Sequence, residues 1–182
     1  MWRVHRHIGM GGDQIVKAIA GEGVERVHGD SLRDTSQEEF KRLRDECVPL
    51  DGARELVLEL RRRDFVVVLA SSSNPDDLDH FLDKLGVRGD VDDWTTADDV
   101  ERTKPYPDVI QAALAKAGTD DAVMVGDSRW DIEAAANAGL QTVCVITGGW
   151  SKQELRDYGA VGVFESLGEL REQLDETPLG RD

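Results

Sequence analysis

The sequence predicts an α/β fold, an open, doubly wound parallel sheet of the Rossmann-like type. Two observations lead to this prediction. From about residue 52 onward, helix-period segments alternate with short apolar runs, the pattern of a parallel sheet covered by helices. Prolines also follow Asn74 and Tyr106, at or near the first position of two predicted helices, where the missing N–H costs nothing.

Five predicted strands and six predicted helices make up this repeating part of the chain. The strands are predicted at Phe65–Ala70, Asp93–Thr96, Ala122–Val125, Thr142–Ile146 and Gly162–Phe164. The helices are predicted at 52–63, 75–85, 107–117, 130–138, 151–158 and 167–174. Because a helix follows each strand, we expect the strands to run parallel.

The first 50 residues differ, because they contain no convincing strand. Helices are predicted at about 13–20, ending at Gly21, and at 36–46, starting from a capping box at Thr35 or Ser36. The turn-like residues 48–52 mark the most plausible boundary. The predicted organisation is a helical part at 1–50, an α/β core at 51–176, and a frayed tail at 177–182.

Composition excludes several classes of protein. The 182 residues carry 22 Lys and Arg against 37 Asp and Glu, a net charge of −15, and such a field repels nucleic-acid backbones. There is no apolar run long enough to cross a bilayer and no apolar signal stretch. We therefore expect no nucleic-acid or membrane partner and a cytoplasmic location. Cys47 and Cys144 lack metal-ligand spacing and are expected to be reduced thiols.

Polar residues directly after the apolar runs are the first candidates for function, because ligands of open α/β sheets bind at the carboxyl ends of the strands. Ser71, Ser72, Ser73 and Asn74 follow the run that ends at Ala70. Their hydroxyls and the N-terminus of the next helix can hold an anion. Simple helix capping explains the same residues about as well.

Two further places carry charged groups. Lys104 lies between a loop and a proline-started helix, where an ammonium can neutralise phosphoryl charge, although a solvated lysine is the simpler alternative. Asp127 and Asp131 follow the run at Val123–Val125 and lie one helical turn apart. Paired carboxylates suit Mg²⁺; the alternative is that Asp127 or Ser128 caps the helix and Asp131 complements its dipole.

In order along the chain, LASSSN, KPYPDV and VMVGDSRWDIEAAANAG resemble the second, third and fourth motifs of the haloacid dehalogenase superfamily. The resemblance covers residues 52 to about 170, and residues 1–50, with HRHIGMGGD, resemble the helical cap of its phosphoglycolate phosphatase and β-phosphoglucomutase-like branch. It implies a Mg²⁺-dependent phosphatase of small phosphorylated metabolites.

The resemblance also implies a role for each motif. Ser71 would hydrogen-bond the transferring phosphoryl group, and Lys104 would stabilise its charge. Asp127 would hold Mg²⁺, with Asp131 completing or orienting the metal shell. Further substrate-binding groups are expected at Ser72, Ser73, Asn74 and, in the cap loop, Gly11.

The first motif of the family, Asp-x-Asp, has no counterpart upstream of the cap-like residues in this sequence. In the family its first aspartate attacks phosphorus and its second serves as acid and base. Asp90-Val91-Asp92 comes after Ser71 without a preceding apolar strand, so we reject it as this motif. We therefore expect the first core strand to be missing, the chain to be N-terminally truncated, and the 182-residue form to be inactive.

Three explanations of this absence stay open. The start methionine is wrongly assigned, which we favour, or the gene is a decayed remnant, or the short form persists as a non-catalytic phosphate- or partner-binding protein. A phospho-accepting receiver domain is disfavoured, because it would present its acidic pair first and its lysine last. A dinucleotide enzyme is disfavoured because no G-x-G-x-x-G follows a first strand.

Overall fold

A computed structural model describes residues 2–180 and confirms the predicted α/β fold class. The helices are α1 (Trp2–His5), α2 (Gly12–Ala20), α3 (Glu22–Leu43), α4 (Ala53–Arg62), α5 (Pro75–Leu85), α6 (Asp108–Ala117), α7 (Arg129–Asn137), α8 (Lys152–Asp157) and α9 (Leu167–Glu172). The strands are β1 (Val68–Leu69), β2 (Asp93–Trp94), β3 (Val123–Gly126), β4 (Gln141–Val145) and β5 (Gly162–Phe164). No helix of this described part is both long and apolar enough to cross a membrane.

The strands form two parallel sheets, and the predicted parallel pairing is confirmed. One sheet has the order β1-β2, with Val68 opposite Asp93. The other has the order β3-β4-β5, with Val123 opposite Gln141. β1 is shorter than the predicted Phe65–Ala70, because it pairs with a neighbouring strand on one side only.

A cavity of about 700 Å³ separates the two sheets. It is bounded by residues 66–71 of the β1 segment and residues 122–125 of the β3 segment, together with apolar side chains of α4 and α9. We call this cavity the inter-sheet groove. The carboxyl ends of β1 and β3 flank it, so the groove sets the distance between the polar residues that follow these two strands.

Apolar side chains of the helices build the core around the sheets. On one face, Leu56 and Leu60 of α4 and Leu170 of α9 pack against Val143 and Phe164. On the other face, Val109 and Ile110 of α6 pack with Ala134 of α7. The spacing of Leu56 and Leu60 places them on one helical face, which is why α4 buries this stripe and exposes its arginines.

The helical N-terminal part differs from the sequence prediction in two respects, of which the first is the unpredicted short helix α1. Gly21 ends α2 at φ 86° as predicted, but α3 is one helix from Glu22 to Leu43 rather than a helix starting at 36. The predicted capping box at Thr35 or Ser36 is therefore wrong, and the Thr35 hydroxyl instead donates to the Ser31 carbonyl at 2.8 Å. Only Gly29 of α3 is buried, so the helix shows no apolar period from which its length could be recognised.

The C-terminal segment is also better packed than predicted. Leu174 and Leu179 are buried in the core that α4 and α9 cover, because their side chains remove apolar surface from water. The frayed tail predicted at 177–182 is thus wrong for residues 177–180. Residues 181 and 182 lie outside the described residues.

Candidate functional site

The turn from β3 into α7 holds the two predicted aspartates. Ser128 is the N-cap of α7, and Asp131 completes a capping box with it. Asp131 Oδ2 accepts hydrogen bonds from the Ser128 hydroxyl at 2.7 Å, the Ser128 amide at 3.0 Å and the Asp127 amide at 3.2 Å. The capping alternative thus describes real contacts of Ser128 and Asp131, and these contacts fix the Asp127 backbone at the end of β3.

Lys104 joins this turn from a distant part of the chain. Its Nζ lies 2.8 Å from Asp131 Oδ1, and the two side chains are only 20% and 6% exposed. The alternative of a solvated surface lysine is therefore wrong. An ion pair removed from water in this way interacts more strongly than a surface pair, so Lys104 is held in one place beside the two aspartates.

The two aspartates differ in their protonation. Burial acts to raise the pKa of Asp131, but the Lys104 ammonium and the Ser128 hydroxyl outweigh it, so that pKa lies below its ordinary value. Burial raises the pKa of Asp127, and the negative charge of Asp131 adds to this rise. Asp131 is therefore the satisfied carboxylate of the pair, and Asp127 is the one that would gain from a further cation.

A loop after β4 positions Asp127 from the other side. The Thr147 hydroxyl donates to Asp127 Oδ2 at 2.8 Å. Gly148 lies so close to Asp127 that a Cβ at position 148 would be 2.2 Å from the Asp127 carbonyl oxygen. A Cβ at Gly126 would likewise be 2.5 Å from the Cβ of Asp131. Glycine at these two positions therefore allows the strand ends to approach one another.

Lys104, Asp127 and Asp131 together are called the cluster below. Ser71 lies on the other side of the inter-sheet groove from it. The buried Thr95 hydroxyl accepts from the Ser71 amide at 2.9 Å and donates to the Ser71 carbonyl at 2.7 Å. The Ser71 hydroxyl accepts from the Ser73 amide at 3.1 Å. The described hydrogen bonds of Ser71 thus stay on the β1 side, and none of them joins it to Lys104 or Asp127.

The other predicted substrate-binding residues after β1 have local roles. Asn74 is the N-cap of α5, and its Oδ1 accepts from the Asp77 amide at 2.9 Å. The Ser73 carbonyl accepts from the Ala97 amide at 2.9 Å. Ser72 is half-buried beside them. The Asn74 contact is the one that the capping alternative predicts, and a role of the three residues in substrate binding stays a prediction.

Gly11 is the predicted residue of the helical part that does reach the cluster. Its amide donates to the Lys104 carbonyl at 3.1 Å, and a Cβ on it would overlap the Thr103 hydroxyl. Asp13 contacts the same hydroxyl and also accepts from the Thr103 amide at 3.2 Å. The Gly-rich loop is therefore docked directly on the loop that carries Lys104.

The residues before Gly11 continue over the loops at the carboxyl ends of β3 and β4. His7 stacks on Trp130 at the start of α7, with ring centroids 5.6 Å apart. The Arg6 guanidinium lies 3.7 Å from the centre of the Trp150 ring and pairs with Glu154. These contacts could not be predicted from the sequence, because they join residues that are far apart in the chain.

The donor set agrees in part with the predicted magnesium site. Mg²⁺ is typically bound by one or two carboxylates, water and a substrate phosphate. Asp127 fits, since Thr147 occupies only Oδ2 of its carboxylate, whereas Lys104 and the turn donors occupy both oxygens of Asp131. Within residues 2–180 no third acidic, His or Cys side chain joins the pair to form a larger metal-binding group.

Three residues of the site were not predicted as functional. The sequence predicts Ser128 only as a cap, and it predicts no role for Thr95 or Thr147. Thr95 lies near the end of the predicted strand Asp93–Thr96, and Thr147 directly follows the predicted strand Thr142–Ile146. This position at a strand end was the signal from which a role in the site could have been predicted. Cys144 is buried, and burial raises the pKa of its thiol to about 12, so it is protonated and unreactive at neutral pH.

Comparison with known proteins identifies relatives of this arrangement. The hydrolase family described as haloacid dehalogenase-like hydrolase matches residues 3–139. Pyrophosphatase PpaX of Bacillus velezensis is 30% identical over 118 residues, which is 64% of this chain and 55% of that protein. Phosphoglycolate phosphatase of Rhodospirillum rubrum is 33% identical over 103 residues, 56% of this chain and 42% of that protein. The chain thus spans about half the length of the curated relatives it matches.

Solved structures are similar over nearly the whole chain. The structure of a hydrolase from Pseudomonas syringae has a TM-score of 0.87 and 31% identity, covering 96% of this chain and 82% of that one. CbbY from Rhodobacter sphaeroides in complex with phosphate has a TM-score of 0.72 and 21% identity, covering 93% and 78%. The first supports both fold and relationship, and the second supports the fold alone.

Proposed function

Because the chain belongs to the haloacid dehalogenase-like hydrolase family, we propose that it carries the phosphoryl-binding part of a phosphatase-type hydrolase of small phosphorylated metabolites. Two of its matched relatives are named as a pyrophosphatase and a phosphoglycolate phosphatase. The observation that carries the proposal is the Lys104–Asp131 ion pair beside Asp127.

Each residue of the cluster has a distinct part in the proposal. Lys104 faces the site with a fixed ammonium that stabilises negative charge on a phosphoryl group. Asp131 acts as a positioning residue, since its two oxygens hold Lys104 and the turn into α7. Asp127 is the ligand of Mg²⁺, with Thr147 orienting its carboxylate. The metal ion, when bound, would neutralise charge on the phosphoryl oxygens.

Ser71 completes the proposal on the other side of the groove. Its hydroxyl accepts only the Ser73 amide among its described contacts, so the hydroxyl hydrogen is available to a phosphoryl oxygen. α5, an 11-residue helix, begins four residues further on at Pro75, and its N-terminus favours negative charge. The Gly11 loop would cover the ligand next to Lys104 and contribute to its selection.

The nucleophile is the missing component in this proposal. In the printed sequence no Asp-x-Asp follows an apolar strand upstream of Ser71. Asp131 is engaged with Lys104, and Asp127 serves the metal in our assignment. We infer that the 182-residue form binds phosphoryl ligands without turnover, and that a form extended upstream by a strand ending in Asp-x-Asp hydrolyses them.

Hydrolysis of p-nitrophenyl phosphate tests this assignment. The 182-residue chain is expected to release p-nitrophenol with Mg²⁺ no faster than its Lys104→Ala variant. The upstream-extended form is expected to show Mg²⁺-dependent turnover that Asp127→Asn abolishes and that the exposed control Asp120→Asn leaves unchanged. Turnover by the extended form that survives Asp127→Asn would contradict the assignment.

A second candidate is a purely phosphate- or partner-binding protein. The observation that favours it is the complete set of contacts within the cluster, in which Lys104, Asp131 and Ser128 hold one another without any further group. Tight Mg²⁺-dependent binding of inorganic phosphate, combined with no hydrolysis by the extended form, would favour this candidate. Both proposals include a cytoplasmic location and no nucleic-acid or membrane partner.

A further inference from the structure

We propose that Asp13, in the first turn of α2, is a positioning residue of the phosphoryl site, which acts through Thr103 to hold the loop that carries Lys104. The inference deepens the proposed function, because it rests on the role proposed there for the Lys104 ammonium. It means that docking of the Gly-rich loop and binding of a phosphoryl group are coupled.

The Asp13 carboxylate contacts Thr103 with both of its oxygens. Oδ1 accepts from the Thr103 hydroxyl, and Oδ2 accepts from the Thr103 amide at 3.2 Å and from the Gln14 side-chain amide at 2.8 Å. Partial burial acts to raise the pKa of Asp13, but these hydrogen bonds outweigh it, so that pKa lies below its ordinary value. The carboxylate is therefore charged at neutral pH, and a charged acceptor forms stronger hydrogen bonds than a neutral one.

The two neighbours of Lys104 in the chain are held by different parts of the protein. On its C-terminal side, the Asn137 side chain of α7 donates to the Pro105 carbonyl at 3.2 Å. On its N-terminal side, the Thr103 hydroxyl and amide donate to Asp13, which is 90 positions away in the chain. The helical part therefore supplies one of the two anchors of this loop, and the α/β core supplies the other.

The Gly-rich loop that ends at Asp13 lies against both turns from which the cluster is built. A Cβ at Gly9 would be 2.8 Å from the hydroxyl oxygen of Ser128, at the start of α7. A Cβ at Gly11 would overlap the Thr103 hydroxyl, beside Lys104. Asp13 therefore fastens a loop that already contacts the cluster from two directions.

The place of the ammonium depends on this anchor. Lys104 Nζ lies 2.8 Å from Asp131 Oδ1, and 20% of the lysine side chain is exposed. Because a lysine has a long flexible stem, a looser backbone lets its ammonium leave Asp131 for water. An ammonium that is not fixed in advance stabilises phosphoryl charge less well. Loss of Asp13 is therefore expected to weaken phosphate binding and to leave Asp127, which Thr147 holds, as it was.

Competitive acetylation of the whole 182-residue chain tests the anchor without any ligand. Mass spectrometry measures the rate at which Lys104 reacts, relative to the exposed Lys41 of α3. We expect Asp13→Ala and Thr103→Val each to raise this relative rate about threefold or more, and the double variant to react no faster than either single variant. Thr103→Ser keeps the hydroxyl and is expected to react like the parent.

Asp30→Ala is the matched control. Asp30 is also an aspartate of the helical part, 97% exposed and paired with Arg33 at 2.8 Å, and it is expected to leave the Lys104 rate unchanged. Circular dichroism of each variant checks that it folds.

Calorimetric titrations separate positioning from a general loss of structure. With saturating Mg²⁺, Asp13→Ala is expected to bind inorganic phosphate about threefold or more weakly than the parent. Its affinity for Mg²⁺ alone is expected to be unchanged, because Asp127 and Thr147 belong to the other side of the cluster. Asp30→Ala is expected to change neither affinity.

Several results would overturn the inference. Equal acetylation of Lys104 in the parent and in Asp13→Ala would show that Asp13 does not anchor the loop, and so would a Thr103→Ser variant that reacts as fast as Thr103→Val. Equal losses of Mg²⁺ and phosphate affinity in Asp13→Ala would show a merely structural role. A parent chain that binds no phosphate would overturn the proposed function instead, and the acetylation rates would still decide whether Asp13 holds Lys104.

Discussion

The two sides of the inter-sheet groove end in very different polar surroundings. After β3, Asp127 and Asp131 lie in a network with Lys104 and Thr147, and the bonds to these two residues join separate loops. After β1, the Ser71 backbone is held by one buried threonine and its hydroxyl by a local turn. One side is a preorganised cluster of charges, and the other is a capped turn that precedes a helix.

The difference shows that polar side chains at a strand end are held more firmly when more loops and helices contact them. The β3 side receives contacts from the β4 loop and from the loop before α6, so it fixes its charges without a ligand. On the β1 side, the described hydrogen bonds of Ser71 reach only Thr95 and the neighbouring Ser73. We therefore expect substitutions on the β3 side to change stability strongly and those at Ser71 to change it little.

The largest loss in the free energy of unfolding is expected for Asp131→Asn. This change removes the carboxylate that pairs with the largely buried Lys104 and accepts three donors of the turn. Breaking a buried pair on one side typically costs about 3–5 kcal/mol, and urea unfolding measures the loss. Asp83→Asn, in an exposed pair with Arg88, is the matched control with little change. Equal losses for the two variants would show that the cluster is not preorganised.

Gly148→Ala is expected to have the next largest effect. The added methyl group would collide with the Asp127 carbonyl, and relieving such overlap typically costs about 1–3 kcal/mol. Gly23→Ala in α3, where the new Cβ meets nothing within 4 Å, is expected to stabilise the protein instead. A Gly148→Ala protein as stable as the parent would mean that the β3 and β4 loops are not in close contact.

A pH series separates the two aspartates. The pKa of Asp127 is raised in the folded state, so its ionised form lowers stability at neutral pH, and the loss disappears as pH falls through that pKa. The pKa of Asp131 is lowered, so its stabilisation is present above its unfolded pKa and is lost as pH falls through the folded one. Asp127→Asn is therefore expected to raise the free energy of unfolding at pH 7, by less than Gly148→Ala lowers it.

The two aspartate variants are compared by urea unfolding between pH 3 and pH 7, followed by tryptophan fluorescence. At neutral pH, the change in the free energy of unfolding relative to the parent is expected to be positive for Asp127→Asn and negative for Asp131→Asn. Both differences are expected to shrink toward the acid end, since protonation removes the charge in either state. Two losses of the same sign at pH 7 would contradict the assignment of Asp131 as the satisfied carboxylate.

The smallest effect is expected for Ser71→Ala. The hydroxyl accepts one local hydrogen bond, from the Ser73 amide, and a bond of this kind contributes about 0.5–1.5 kcal/mol. Thr95→Val, which leaves the Ser71 amide without its buried acceptor, should cost more and serves as the comparison. A loss for Ser71→Ala as large as that for Asp131→Asn would remove the distinction between the two sides.

The fold was predictable where local signals mark both ends of an element. Asn74-Pro75 and Gly86 define α5, whose predicted bounds 75–85 are those observed. α3 was predicted much too short, because its polar surface carries no apolar period and its Thr35 hydroxyl bonds within the helix. Long charged helices of this kind lack the pattern on which such predictions depend.

The site was predictable as a set of residues but not as a set of contacts. Lys104 comes after β2, whereas Asp127 and Asp131 come after β3 in the other sheet, and the structure brings these three together. The order of residues could not show that Lys104 pairs with Asp131 rather than Asp127, since that depends on how two loops pack. The Arg6 contacts with Trp150 and Glu154 likewise join residues separated by more than a hundred positions.

A calorimetric titration with Mg²⁺ tests most directly whether the β3 side is a preorganised cation and phosphoryl site. For the 182-residue chain we predict saturable Mg²⁺ binding that inorganic phosphate tightens, that Asp127→Asn abolishes, and that Asp120→Asn leaves unchanged. Binding that is equal in the Asp127→Asn and Asp120→Asn variants, or absent from the parent chain at every phosphate concentration, would contradict the account.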